Sequence, residues 1–389
     1  MRVAIVAEYY PRRADPVLGI WAHRQAMAAR EAGADVRVLV LYRPVPSRAA
    51  LAARDPAALI APLRQPLHTV LDGIRIDYVP FVAPPRPRSY GAWGAWAAPP
   101  LALALRGLRR SFAFELVHAH YASPAGEAVR RARPGVPMVV SAHGGDVIAT
   151  AVDSPAGNTA VRSAFRTSAL VLANSRAIEE RCVALGARRT RVVHLGTDLP
   201  AHTRPSPLSG PLVTVSHLVS RKRHSDVLRA MWALREARPE LRWVVVGDGP
   251  ERGPLQRLAA ELGLLDRVDF LGPLPHAEAV AAARTGSVFV LPSVDEAFGV
   301  AYVEAMAGSV PAIGCRGEGG PEEIAAAGGG IRLVAPGDPE ALAGAIDGLL
   351  AEPEWRREVG EQARANVAAN FTWEACGRAT VEAYSEALR

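Results

Sequence analysis

Two glutamates eight residues apart, Glu296 and Glu304, sit in the string LPSVDEAFGVAYVEAMAGSVPAIG, residues 291–314. On a single helix they would be separated by roughly 12 Å along the axis, a distance that spans a sugar to a ribose across a diphosphate. Phe298 and Gly299 lie between them, where a helix would begin. A helix N-terminus presents free N–H groups and a positive dipole end, which suits phosphate. A bare pair of glutamates at this spacing is ordinarily a solvated helix face, and it is the surrounding residues that argue against that reading. Lys222 lies in a loop leading to a helix, where an ammonium can neutralise a diphosphate leaving group. His118 and His120, at i and i+2 in VHAHY, share one face of a strand. A metal pair would need a third ligand at suitable spacing, and none follows.

These residues need a frame that brings them to one place. Short apolar runs at Val3–Ala7, Val36–Leu41, Leu116–His120, Met138–Ala142, Leu170–Ala173 and Val192–Leu195 alternate with helical stretches such as Ile20–Ala32. A proline-rich stretch over 199–211 reads as a linker. The alternation then restarts at Leu212–Val215, Trp243–Val246, Val268–Leu271, Val288–Leu291 and Val310–Ile313, and the tail over 353–388 reads as helical. Continuous apolar strands separated by helices indicate parallel sheet covered on both faces. The expected architecture is therefore α/β, with two Rossmann-like domains facing across a cleft. Their expected limits are 1–200 and 201–370, with a C-terminal helix over 371–389. Glu296 follows the strand Val288–Leu291, and ligands of open α/β sheets bind outside the carboxyl ends of strands.

The segment over 84–111 breaks the alternation. Its first half is rich in proline and glycine and carries Tyr90, Trp93 and Trp96, and its second half reads as an amphipathic basic helix. Two readings stay open: an insertion packing on its own domain, or an acceptor-binding lip or membrane-surface contact.

The string around Glu296 and Glu304 resembles the E-x7-E signature of retaining glycosyltransferases of family 4, which have the GT-B fold. The resemblance covers nearly the whole chain. It includes VSHLVSRKRHSDVLRA, VVVGDGPERGPLQRLAAELGL and VDFLG in the second half, and FELVHAHYASPAGEA, VVSAHGGDV and LVLANSRAIEERCVALG in the first. It implies a nucleotide-sugar donor in the C-terminal half and an acceptor in the N-terminal half. Glu304 would bond the ribose hydroxyls, Glu296 the transferred sugar, and Lys222 the departing diphosphate. His120 would sit beside the reacting carbon, with His118 a weaker alternative. Phe298, Gly299 and Val300 join the donor set. Gly19 matches a glycine that faces the donor diphosphate, although an ordinary turn glycine is the other reading. His143 and Asp146, in HGGD, match a loop that contacts acceptor or sugar. Gly247 lies by the nucleotide, and Leu271 or Gly272 holds the base edge. Where the family usually places an arginine, five residues before the lysine, this chain has His217, and Arg221 is the substitute cation. The C-terminal helix is expected to cross back to the first domain.

The rest of the sequence narrows the function further. A formal net charge of +6 permits anionic partners, but 6% aromatics with no basic arm or nucleic-acid motif argues against nucleic acid. Gly247-Asp248-Gly249 invites a dinucleotide reading, yet Arg252 occupies the third glycine position of G-x-G-x-x-G. With no D-x-D triplet and cysteines only at 182, 315 and 376, the expectation is a metal-independent transfer needing no cofactor. The uridine diphosphate sugar is favoured over the guanosine one on family frequency alone. The acceptor is a glycan, a lipid-linked glycan or a small molecule. The expected location is cytoplasmic, with peripheral contact at the inner membrane face through 84–111. The alternatives are a nucleotide-sugar epimerase or phosphorylase on the same fold, a non-catalytic binding module, and a nicotinamide oxidoreductase.

Overall fold

The structure is a computed structural model that describes residues 1–46, 48–86, 89–201 and 210–389. Most of the expected linker, at 202–209, lies outside the described residues, as do residues 87 and 88 of the 84–111 segment. The chain divides into two compact units, Met1–His194 with Cys376–Arg389, and Leu195–Ala375.

The first unit is built on β1 (Arg2–Ala7), β2 (Asp35–Tyr42), β3 (His68–Leu71), β4 (Ile74–Pro80), β5 (Leu116–His120), β6 (Met138–Ala142), β7 (Leu170–Ala173) and β8 (Thr190–Val192). The sheet order is β3-β4-β2-β1-β5-β6-β7-β8. All neighbours are parallel except β3, which pairs antiparallel with β4 at the edge. Every residue of β5, β6 and β7 is buried, because helices cover both faces of a parallel sheet.

The second unit holds β9 (Leu212–Val215), β10 (Trp243–Val246), β11 (Val268–Gly272), β12 (Val288–Val290), β13 (Ala312–Cys315) and β14 (Ile331–Val334). These are wholly parallel in the order β11-β10-β9-β12-β13-β14. Trp243 lies in its buried core with Leu228, Met231 and Ile346, and its indole N–H donates to Thr214 Oγ1 at 2.9 Å. In both sheets the order reverses beside the first strand, between β1 and β5 and between β9 and β12. At such a switch point the loops leaving neighbouring strands diverge and open a crevice for a ligand.

Three local differences from the sequence reading have physical causes. The strand expected at Val192–Leu195 is Thr190–Val192, and the one expected at Val310–Ile313 is Ala312–Cys315. Pro311 has no N–H for a ladder, so pairing starts after it. The β3–β4 hairpin and β14 are edge features whose half-exposed patterns lack a continuous apolar run. The 84–111 segment is helical from Trp93 to Ser111, straight through Pro99 and Pro100. Burial of Trp93, Ala97, Leu101, Leu105 and Leu108 along one face offsets the cost of the two missing N–H groups.

The last helix, Trp373–Ala387, begins in the second unit and ends in the first. Within the first unit Gln25 Nε2 donates to Thr380 Oγ1 at 3.1 Å, and Arg189 pairs with Glu386 at 2.9 Å. Gly377 lies so near the first helix that a Cβ there would meet Ala28 O at 2.2 Å.

Gly247, just past β10, has φ 129°, and an added Cβ would stand 2.0 Å from Ser216 O. Gly247→Ala is expected to destabilise the chain by about 1–3 kcal/mol. Gly344→Ala, in a helix with open space around it, is expected to be neutral or to stabilise by up to ~1 kcal/mol. Urea unfolding of both variants checks the contrast.

Candidate active site

In the second unit the loops after β9 and β12 meet. Val294 N donates to Arg221 O at 2.8 Å, and Arg221 Nη1 donates back to Asp295 O at 3.3 Å. This cross-link brings Lys222 against Glu296, and Lys222 Nζ donates to Glu296 Oε2. Their side chains are only 10% and 9% exposed. Ser293 Oγ donates to the same carboxylate oxygen at 2.8 Å, and Glu296 N donates to Glu318 Oε2 at 2.9 Å. Burial works to raise the Glu296 pKa, but Lys222 and Ser293, with Arg221 behind them, outweigh it and hold the carboxyl below its usual range. Glu296 is therefore a carboxylate at neutral pH.

Glu296 does not share a helix with Glu304. It lies in the loop, and the helix runs from Val300 to Met306 with Gly299 as its N-cap at φ 86° and ψ 63°. That left-handed turn is open to glycine without strain. Phe298 is buried, 5.6 Å ring to ring from Phe371. Gly320 packs so tightly beneath it that a Cβ would meet Phe298 O at 2.1 Å. Glu304 faces His276, whose Nε2 is 3.6 Å from Glu304 Oε1, and Arg284 Nε donates to Glu304 O at 3.0 Å.

His217 is exposed after β9, with Nδ1 3.3 Å from Asp248 O. Gly247 N donates to Gly272 O at 2.8 Å, joining the ends of β10 and β11. Leu271 is half exposed, as a backbone contact to a ligand permits.

In the first unit three histidines gather where β5 and β6 end. His120 Nδ1 is 2.9 Å from His143 Nε2, and the two rings stack at 9°. His120 Nε2 and His143 Nδ1 are buried with no protein partner among the described residues. His118 is turned inward, with Nδ1 2.7 Å from Tyr384 OH and Nε2 2.7 Å from Ser141 Oγ. Both of its ring nitrogens are spent, so it buttresses the strand and cannot touch a ligand. Asp146 is also inward. It is fully buried and accepts from Ala122 N at 3.0 Å and His143 N at 3.3 Å, so it holds the loop that carries His143. Gly19 has φ 65°, and a Cβ would fall 2.2 Å from the Tyr9 carbonyl, so it permits close passage of the chain after β1.

Burial pushes His118 and His143 down to about 3. It also pushes His120 well below its ordinary value, helped by both neighbours. Burial raises Asp146 to about 6 against the pull of surrounding backbone N–H groups.

Sequence reasoning missed Ser293, Tyr302, Glu318 and His276. Tyr302 donates to Leu291 O and lies 3.3 Å from Ser293 Oγ, bracing the loop from below. One available signal concerned Lys222 itself, which is the only lysine among 45 basic residues. Among the described residues, no group of three or more His, Cys, Asp or Glu is arranged to hold a metal ion.

Two doubly wound units with ligand-type loops at both switch points define a protein of the GT-B fold. Residues 18–200 match the family model Glycosyltransferase Family 4, and residues 210–366 match Glycosyl transferases group 1. Over 310 residues the chain is 31% identical to the D-inositol 3-phosphate glycosyltransferase of Thermobifida fusca, covering 71% of this chain and 70% of that protein. The chain belongs to glycosyltransferase family 4. It spans about half the length of several other curated relatives. One is the GDP-mannose-dependent alpha-(1-6)-phosphatidylinositol monomannoside mannosyltransferase of Mycolicibacterium smegmatis, 32% identical over 45% of this chain and 47% of that protein. Among solved structures, sucrose-phosphate synthase from Thermosynechococcus elongatus superposes with a TM-score of 0.78 at 22% identity, covering 99% of this chain and 98% of that one. The Anabaena protein HepE in complex with UDP-glucose gives 0.72 at 20% identity, over 99% of both chains. At these identities the likeness establishes the fold alone.

The three clustered histidines, His118, His120 and His143, make the stability of the chain pH-dependent. Their folded pKa values lie below the unfolded value of about 6.5, so the folded unit binds fewer protons, and stability is lost as pH falls below about 6.5. Asp146 acts in the opposite direction between about 6 and 4, one proton against these three and against His23 and His224, which burial also lowers. The melting temperature is expected to fall steadily from pH 7 to pH 5. His143→Asn is expected to flatten that slope, and a profile already flat in the parent chain would contradict the neutral cluster.

Proposed function

We propose that the chain transfers a glycosyl group from a nucleoside-diphosphate sugar to an acceptor hydroxyl, with retention of configuration and without a metal ion. The observation that carries this reading is the buried Lys222–Glu296 pair, held by Ser293 at the switch point of the second unit. A compact ammonium placed beside a carboxylate can bind a diphosphate and a sugar hydroxyl together. The anomeric carbon–oxygen bond to the diphosphate breaks, and the acceptor oxygen bonds that carbon from the same face. The acceptor proton passes to the departing phosphate oxygen. Lys222, Arg221 and the N–H groups at Val300 offset the charge that develops there. Glu296 already spends one oxygen on Lys222 and Ser293, which suits holding hydroxyls better than attacking carbon.

Glu304, buried at the far end of the short helix, is the ribose ligand, and Gly247, Leu271 and Gly272 border the base. Uridine is the base favoured, on family frequency alone. Guanosine appears in the names of two curated relatives, the M. smegmatis and Corynebacterium glutamicum mannosyltransferases. His120 Nε2, with no protein partner among the described residues, is offered to donor sugar or acceptor.

Among the described residues no helix is long and apolar enough to cross a membrane. The helix Trp93–Ser111 still presents Trp96 at 52% and Leu103 at 67% exposure, with Arg106 and Arg110 exposed and no acidic residue along its length. This supports peripheral contact with an anionic lipid surface. Co-sedimentation with phosphatidylglycerol vesicles is expected, and Trp96→Ala with Leu103→Ala should reduce it. Equal binding to phosphatidylcholine vesicles would argue against an electrostatic contact.

Thermal shift with UDP and GDP, each with and without a chelator, tests the donor assignment. One nucleotide at 100 times its dissociation constant should add about 2.7 kcal/mol, unchanged by chelation. Glu304→Ala should weaken that nucleotide roughly 10- to 100-fold. Lys222→Ala should lower turnover about 100-fold or more. Lys222→Arg should not restore it, because the larger planar fork does not fit the buried position. Full activity in the Lys222 and Glu304 variants would refute the site.

A further inference from the structure

A cavity of about 760 Å³ opens in the first unit at the carboxyl ends of β1 and β2. Its wall includes Glu8 and Tyr9 directly after β1, Arg43 directly after β2, and Arg12, Arg86 and Trp93. Three guanidinium groups thus face one carboxylate. Arg86 is committed to Glu8 at 2.6 Å and to Tyr9 OH at 2.9 Å, and Glu8 also accepts from Tyr90 OH at 2.7 Å. The other two are steered by neutral groups. Arg43 donates through Nε to Ala83 O at 2.9 Å and lies 5.2 Å over the Trp93 ring. Arg12 donates through Nη2 to Glu8 O at 2.7 Å, while its Nε is buried without a partner among the described residues. Burial lowers the pKa of both, and the charge of Arg86 adds to the effect at Arg43. Among the described residues neither Arg12 nor Arg43 is held in an ion pair, although Glu8 and Asp15 act on Arg12 from farther away.

The cavity also adjoins the histidine cluster. The Tyr9 ring is 5.1 Å from that of Tyr121, which is 5.2 Å from that of His143, the hydrogen-bond partner of His120.

We propose that this cavity takes the acceptor, and that the acceptor carries a phosphate monoester held by Arg12 and Arg43. A phosphate monoester bears close to two negative charges at neutral pH, and Arg12 and Arg43 can meet it without breaking an ion pair, since it is Arg86 that is paired with Glu8. Arginine forks suit phosphate oxygens. The volume falls within the range of small-molecule sites, and Tyr9 and Trp93 supply ring surface for the polyol or sugar. The inference rests on the glycosyltransferase reading, with the acceptor in the first unit.

Calorimetric titration of the full chain with inorganic phosphate, glucose 6-phosphate and glucose tests it. Glucose 6-phosphate is expected to bind, inorganic phosphate to compete with it, and glucose to give no heat. Arg43→Gln should weaken glucose 6-phosphate at least tenfold and leave the nucleoside diphosphate within twofold. Arg43→Lys should recover part of the loss. Leu51→Glu, on the cavity wall at 54% exposure, adds an opposing charge at an exposed position and should also weaken the phosphate ester. If neither phosphate probe binds at about 10 mM, or if Arg43→Gln and Leu51→Glu bind like the parent, the assignment fails. Failure of the parent to bind any nucleotide would overturn the glycosyltransferase reading instead, so the two failures are distinct. The same phosphate can head a lipid. Retention on phosphatidic acid vesicles that Arg43→Gln abolishes supports a lipid acceptor. Glucose 6-phosphate binding without such retention supports a soluble one.

Discussion

The candidate donor site depends on one buried pair of unlike charges. An ammonium or a carboxylate taken out of water costs several kcal/mol unless it is paired and hydrogen-bonded. Lys222 and Glu296 each supply the partner the other needs, and Ser293 supplies a further hydrogen bond. The pair exists because the loops after β9 and β12 are joined through Val294 N and Arg221 O. Tyr302 and Glu318 fix the second loop from two other sides. Removing one member would leave the other buried and unpaired, which explains why the neighbouring backbone is so tightly specified. Gly299 and Gly320 both stand where a side chain would collide with this loop and its helix.

That the pair is lysine with glutamate, not arginine with glutamate, bears on its chemistry. Every other lysine-or-arginine position of the molecule is arginine, so composition presses against a lysine at any position. A guanidinium would fit a carboxylate in a planar fork and stay there. An ammonium is a point charge with three rotatable donors. In the proposed reaction it can keep one donor on Glu296 and turn the others toward a diphosphate without breaking the pair.

Much of this was legible before any coordinates. The ends of β5, β6, β7, β9 and β10 follow directly from apolar runs, because strands buried on both faces have no choice of residue type. Motif context singled out Lys222, Glu296 and Glu304, and the structure places the first two in contact. What the sequence hid was depth. HAH and HGGD give four polar side chains near strand ends but not which of them reach a surface. His118 and Asp146 are turned inward by partners far along the chain or on the backbone, Tyr384 in one case and Ala122 N in the other. Spacing carries no information about such contacts. The helix through Pro99 and Pro100 was hidden for a related reason, since local propensity forbids what tertiary burial of Trp93, Leu101 and Leu105 sustains.

The two switch points also differ in electrical character, and the difference constrains what each can do. The second unit keeps its ions charged through pairing. The first keeps its imidazoles neutral through burial, so none of the three is a reservoir of positive charge near neutral pH. A neutral imidazole has one N–H and one lone pair. In the His120–His143 hydrogen bond only one of the two facing nitrogens carries a proton. If His120 Nδ1 donates, its Nε2 is left as an acceptor. If His143 Nε2 donates, His120 Nε2 bears the proton and His143 Nδ1 becomes the acceptor. The pair can therefore present His120 Nε2 as either donor or acceptor with no change in net charge. In the proposed transfer, a site that meets a sugar hydroxyl on one side of the reaction and a developing negative charge on the other gains from that ambivalence. A protonated or singly tautomeric histidine could not provide it.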